Sequence, residues 1–348
     1  MLASQLKTAA EKLTEHCGRD DYYWTTDNEM HAVRRRKMLE KYSSEIKKLY
    51  GPDPLTWKIA TAVVLFQIFL GSLASSMSWP VFLLTAYAIG GTATHNSFLA
   101  VHEITHNLAF RKAVHNELFA IFLNIIVPLP YAMGFKSHHR DHHNYLGWEQ
   151  VDPDLPTALE GKLLSSYIGK FFFVTFQVFF YALRPTLVRK MKITRMHVLN
   201  IVAQIIFDVI FYKLFGPWCI IYFFLSLVLG TGWHPLAGHF LTEHYIFQGD
   251  GSQETFSYYG PLNWLAWNVG HHVEHHDFPY VPWRHLHKLR EIAPEFYENL
   301  EVTPSWPLAL YDFVFKVNMN PFSRTVRRKG SYLRPDLRSA EVIGKEEN

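Results

Sequence analysis

Cysteine is almost absent: the 348 residues include only Cys17 and Cys219. One lies in a polar stretch and the other in an apolar one, which argues against a disulfide framework. Net charge is equally scant. Thirty-four Lys and Arg stand against 31 Asp and Glu, leaving a formal charge of +3, too little for general attraction to nucleic acid. The sequence has no Asn-x-Ser/Thr acceptor, in keeping with little lumenal or extracellular surface. The first 50 residues contain no continuous apolar core, so no cleavable signal peptide is expected. Leu2 stands where N-myristoylation requires glycine. Membrane attachment is therefore expected from within the chain.

Charge is also missing locally. From Ile59 to Thr94 there is no Asp, Glu, Lys or Arg, a run worth roughly 54 Å of helix against a hydrocarbon core of roughly 30 Å. The break is expected at SSMSWP, where Pro80 suits a helix start. Two spans follow, about 57–77 and 80–101. The design recurs around Gly216-Pro217, with spans at about 198–215 and 217–233. Asp208 interrupts the third span and is expected to hydrogen-bond internally. The apolar stretches 118–127 and 171–183 are short for spans and are expected to be interfacial or buried helices. Basic residues precede the first span (Arg34, Arg35, Arg36, Lys37) and the third (Arg189, Lys190, Lys192, Arg195). The positive-inside rule then puts both termini and residues 102–197 in the cytosol. An all-α integral membrane protein is expected: two transmembrane helical hairpins (four spans) with a cytosolic helical cap.

Histidine is plentiful, with 20 copies. His102-Glu-Ile-Thr-His106 follows the second span directly, and SHHRDHH supplies His139, His142 and His143. WHPLAGHFLTEHY holds His234, His239 and His244, and GHHVEHHDF holds His271, His272, His275 and His276. On a helix, residues i, i+3 and i+4 share a face. HxxxH and HxxHH thus each present a converging set, and two HxxHH sets can close around a pair of metals. A single buried histidine is an ordinary core residue, whereas three such motifs are not. If neither 118–127 nor 171–183 crosses the membrane, every cluster meets at one cytosolic face. Imidazole alone does not choose among Zn, Cu, Fe and Ni. HEITH also fits the zincin pattern, but the metzincin extension would need histidine at Lys112, and a metalloprotease leaves both HxxHH motifs unexplained. A metal transporter would place ionisable groups along several spans.

In this order, around two apolar hairpins, HEITH, HRDHH and HVEHH resemble the three histidine boxes of the membrane fatty-acid and lipid desaturase/hydroxylase superfamily. The stretches DYYWTTDNEMHAVRRRKMLEKYSSEIKKLYGPDP and GHFLTEHYIFQGDGSQETFSYYGPLNWLAWNVGHHVEHHDFPYVP resemble the sphingolipid Δ4-desaturases. The resemblance covers roughly residues 20–325 and implies a histidine-ligated dimetal site in the cap, with two non-haem irons. The implied ligands are His102, His106, His139, His142, His143, His272, His275 and His276, with His244 as ninth in preference to His239. His138 and His271 lie outside the box spacing. Glu103, Asp141, Glu243, Asn268, Glu274 and Asp277 are candidates to orient the rings. The implied reaction is O2-dependent removal of hydrogens at C4 and C5 of dihydroceramide (N-acylsphinganine) to give ceramide, with C4-hydroxylation as the alternative. The implied electron source is a separate cytochrome b5 with its NAD(P)H-dependent reductase, since the sequence has no HPGG-type haem segment. Endoplasmic-reticulum residence is implied too. The expected organisation is an N-terminal sphingolipid-desaturase-type segment (1–54), a membrane domain (55–325) and a polar tail (326–348).

Overall fold

The computed structural model describes residues 11–328. Helices dominate, with one small parallel sheet among the described residues. The N-terminal segment forms strand β1 (Tyr23–Thr25) and helix α1 (Met30–Lys47). Helix α2 (Pro54–Ser72) begins where Pro54 fits the first turn and the Asp53 side chain accepts from Leu55 N. A 3-10 turn, Ala74–Ser76, leads to α3 (Trp79–Leu84), again with proline in its first turn. Without a break, α3 passes through a π-helical segment, Thr85–Gly90, into α4 (Gly91–Thr105), since Leu84, Thr85, Gly90 and Gly91 all keep right-handed helical angles. The expected second span, 80–101, therefore lies within one continuous helix.

The expected buried stretch 118–127 falls mostly in α5 (Ala113–Asn124). Helix α6 (Ala132–Asn144) has no cap from its own flanking residue. Instead Tyr131 N and Ala132 N donate to Asn124 Oδ1, each at 2.9 Å, and Met133 N donates to Asn200 Oδ1 at 3.2 Å. Helices α7 (Ala158–Leu164), α8 (Tyr167–Thr175) and α9 (Gln177–Val188) follow. The apolar run 171–183 is not one helix: it turns by 87° between α8 and α9.

Helices α10 (Arg195–Phe215) and α11 (Pro217–Thr231) meet at Gly216, whose φ of 79° is the left-handed conformation that glycine adopts at no steric cost. Asp208 accepts from Gln204 at 2.9 Å, an internal bond within one helical turn. The remaining helices are α12 (His239–Thr242), α13 (His272–Asp277), α14 (Leu286–Ile292) and α15 (Trp306–Phe315).

Helices α2 and α10 are each long and apolar enough to cross a membrane, and up to four spans result if two bent helix pairs each count as one. Only 28% and 17% of their apolar windows are buried in the protein. Leu65, Phe66 and Phe69 of α2, and Ile205, Ile206 and Ile210 of α10, face outward, as lipid contact requires.

Small residues set how closely α4 and α11 approach. A Cβ added to Gly230 would lie 2.7 Å from Gly91 Cα, and one added to Gly90 would lie 2.2 Å from Ser226 Oγ. Gly90, Gly91 and Gly230 thus serve close helix packing.

Strand β2 (Thr325–Arg327) pairs in parallel with β1, Trp24 facing Val326. Arg327 is buried on Glu254, at 2.6 and 2.7 Å. The boundary expected at 325/326 falls inside this strand, and the tail beyond Arg328 lies outside the described residues.

Gly230→Val should overpack the α4–α11 contact and lower Tm by roughly 5 °C or more. Thermal unfolding of detergent-solubilised protein checks this, and an unchanged Tm would mean that the helices can spread at no cost.

Candidate metal centre

His102 lies in the last turn of α4 and His106 is its capping residue; the chain then leaves the helix through Asn107, at φ 62°. Helix α6 carries His139, His142 and His143, and α13 carries His272, His275 and His276. His244 follows α12 by two residues. The chain brings these nine rings together in two groups. His102, His106, His139, His143 and His275 offer nitrogens within 4.8 Å of one another, as do His142, His244 and His276. His272 joins the second group through its Nε2, 3.1 Å from His244 Nε2. Each box therefore contributes to both groups, except the first, which serves only the larger.

The separations test whether a metal fits. His139 Nε2 is 2.9 Å from His106 Nε2 and 3.0 Å from His143 Nε2, and His275 Nε2 is 3.1 Å from His143 Nε2. In the smaller group, His142 Nε2 is 3.0 Å from His244 Nε2. A neutral imidazole has one N–H and one lone pair, so a proton can join one pair of such nitrogens but not a converging set. His102 Nε2 and His276 Nε2 have no partner at all. Two imidazoles bound at right angles to one cation at roughly 2.1 Å stand roughly 3.0 Å apart, so the observed edges fit two coordination shells. Burial pushes His139, His143, His244, His272, His275 and His276 well below the usual imidazole value, and His106 to about 3. This favours the neutral form that binds metal. Burial acts the same way on His142, but the Asp152 carboxylate outweighs it and raises that group.

Asp152 Oδ1 lies 2.9 Å from His142 Nδ1, and the Glu254 carbonyl accepts from His244 Nδ1 at 3.2 Å. Glu243 Oε1 lies 3.5 Å from His272 Nδ1 and 2.7 Å from His239 Nδ1. The other expected orienting residues turn elsewhere. Glu103 accepts from Trp283 N at 3.1 Å, Asn268 donates to the Trp283 carbonyl at 3.0 Å, and Asp141 pairs with Arg189 at 2.7 Å. Glu274 accepts from Ser257 and Tyr259, at 2.7 and 2.8 Å. Asp277 is fully buried between His31 Nδ1 (2.7 Å) and Arg34 (3.0 Å) of α1, while Arg35 donates to the backbone carbonyls of His276 and Asp277. His31 also sets its ring 5.0 Å from that of His276. Sequence reading missed Asp152, His31, Arg34 and Arg35 at the site; the Asp-Pro-Asp turn at 152–154, ten residues beyond His142, was the available signal. His239 joins neither group, and His138 and His271 also stay outside them.

A cavity of about 390 Å³ ends on the clusters, touching His102, His139, His142, His244 and His272. Its walls are mainly apolar, with Phe98, Leu99, Leu129, Phe135, Val178 and Leu227 among them.

Asp152→Asn should leave the fold intact but weaken metal retention roughly 10–100-fold, as loss of an outer carboxylate partner does. Metal content after graded chelation checks this; wild-type retention would show that Asp152 does not hold His142. Arg34→Ala should lower metal retention in the same assay, because Asp277 loses a buried cation beside the third box.

A family model described as fatty acid desaturase matches residues 77–306, and one described as sphingolipid Delta4-desaturase matches residues 18–55. The chain is 45% identical over 313 residues to a sphingolipid delta(4)-desaturase/C4-monooxygenase of Rattus norvegicus, covering 89% of this chain and 96% of the relative. It is 43% identical over 331 residues to a sphingolipid delta(4)-desaturase of Candida albicans, covering 89% of each. A third relative, from Drosophila melanogaster and also a sphingolipid delta(4)-desaturase, is 42% identical over 313 residues, 89% of this chain and 97% of the relative. With both its histidine-bearing body and its N-terminal segment matched, the chain belongs to the fatty acid desaturase family, in its sphingolipid Δ4-desaturase branch.

Proposed function

We propose that this chain is a membrane oxidoreductase that converts dihydroceramide to ceramide. The observation that carries this reading is the apolar cavity ending on two groups of facing imidazoles, in a chain whose relatives are sphingolipid delta(4)-desaturases. The balanced reaction takes dihydroceramide, O2, two electrons and two protons to ceramide and two waters. Bound iron would supply the oxidising power to break unactivated C–H bonds, which acid–base side chains cannot do. His102, His106, His139, His143 and His275 would hold one iron, and His142, His244, His272 and His276 the other. The cavity walls exclude water and hold the alkyl chain in one register, so that C4 and C5 rather than more distant carbons meet the histidines.

The zincin role of Glu103 has no support in this geometry, since that carboxylate is buried on Trp283 N. C4-hydroxylation is retained as a second outcome of the same site because the Rattus norvegicus relative carries both activities in its name. It uses the same O2, electrons and protons but leaves one oxygen on C4 and releases one water.

We assign the membrane crossings to α2, the continuous α3–α4 helix, α10 and α11, with the sharply bent α8–α9 pair at the interface. Both termini and the histidine clusters then face the cytosol, where a separate cytochrome b5 and its reductase would deliver electrons. We assign the chain to the endoplasmic reticulum membrane, as its resemblance to the sphingolipid Δ4-desaturases implies.

Expression in a yeast-type host lacking its own sphingolipid C4 hydroxylase tests the reading by lipid mass spectrometry. Loss of two hydrogens between C4 and C5 of the long-chain base is expected; an unchanged lipid profile with iron-loaded, well-expressed protein would overturn it. His142→Ala and His275→Ala should each reduce product to background while membrane insertion persists, whereas His271→Tyr should retain nearly full turnover.

A further inference from the structure

His239 is a buried imidazole that the metal clusters do not use. It is 2% exposed, it lies in α12 on the cavity wall beside His244 and His272, and its Nε2 has no hydrogen-bond partner. Its Nδ1 is fixed by Glu243 Oε1 at 2.7 Å, and the same oxygen lies 3.5 Å from Nδ1 of the clustered His272. One carboxylate oxygen therefore bonds His239 and lies beside His272 without hydrogen-bonding it. Behind His239 stands His95, fully buried, with its ring centroid 4.9 Å away at 88°. The His95 Nδ1–H donates to the Gly230 carbonyl at 3.0 Å, which leaves its Nε2 as an acceptor, also without a partner.

A buried polar atom without a partner is costly and calls for an explanation. In a mostly apolar ligand cavity, a few placed polar groups set orientation and specificity. A neutral His239 presents Nε2 as an acceptor when an ionised Glu243 accepts from Nδ1–H, and as a donor when a protonated Glu243 donates to Nδ1, so the missing partner should suit both cases. A hydroxyl does so, since it both donates and accepts. A carbonyl or an ammonium meets only one of the two cases.

Resting on the desaturase reading above, we propose that His239 Nε2 binds the C3 hydroxyl of the sphingoid base. That hydroxyl is borne by the carbon bonded to C4, so it must lie next to the metal clusters whenever C4 is presented to them. A plain fatty-acyl chain has no hydroxyl at the corresponding place. His239 thereby selects a 3-hydroxy lipid and sets which carbons face the histidines. Glu243 positions His239 through its Nδ1.

The test compares dihydroceramide with its 3-deoxy analogue, which keeps the C1 hydroxyl and the amide. Binding to the purified, iron-loaded protein in nanodiscs is measured without an electron donor, and turnover and double-bond position are measured with one. The wild-type protein should favour the 3-hydroxy lipid roughly tenfold or more. His239→Phe should bring the two lipids to equal affinity with unchanged iron content, and His239→Gln, which keeps a polar group, should recover part of the preference. Equal handling of the two lipids by the wild-type protein overturns the proposal without recourse to any variant, while leaving the desaturase reading intact. A preference that survives in His239→Phe overturns it too. A wild-type protein that neither binds nor converts dihydroceramide overturns the desaturase reading itself.

Discussion

Facing imidazole nitrogens at 2.9–3.1 Å are the constraint on which the molecule depends. Protons cannot satisfy a converging set of such atoms, and burial makes charging them unfavourable. A cation at the centre of each group removes both difficulties. Without one, nine rings drawn from four segments would have every electrostatic reason to separate. The rest of the chain acts to keep them together.

It does so by borrowing partners from far along the sequence. The helix bearing the second box is capped by Asn124 and Asn200 rather than by its own flank. The helix bearing the third box spans only His272–Asp277, too short to hold its own geometry in water. Helix α1 supplies what it lacks, with His31 and Arg34 on Asp277 and Arg35 on two backbone carbonyls. This gives the segment matched by the sphingolipid Delta4-desaturase model, residues 18–55, a physical role beside the histidine clusters. The β1–β2 pairing anchors the same segment to the end of the described chain.

Periodicity made much of this legible. The HxxxH and HxxHH spacings specify helix faces, and those faces meet. The charge-free run and its proline located the break between α2 and α3, and Gly216 marked the turn between α10 and α11. Neighbours of the clustered histidines misled for an equally simple reason. Successive helical residues point about 100° apart, so Glu103 and Glu274 are turned away from the rings that flank them in sequence. The residues that do reach a ring nitrogen or brace a box come from loops or other helices: the Glu254 carbonyl and His31 carry no spacing signal, and Asp152 is marked only by the Asp-Pro-Asp turn that follows the second box. Nor does the sequence say what the small residues at Gly91 and Gly230 are for; their contact shows that they let two helices pack closely.

The central claim is that two groups of nitrogens each hold one iron. Metal analysis combined with iron-edge X-ray absorption on catalytically active protein tests it most directly. The account predicts two irons per chain, in shells dominated by nitrogen at roughly 2.1 Å, as imidazole ligation gives. A single iron per chain, a shell dominated by oxygen, or full activity in protein stripped of iron would contradict it.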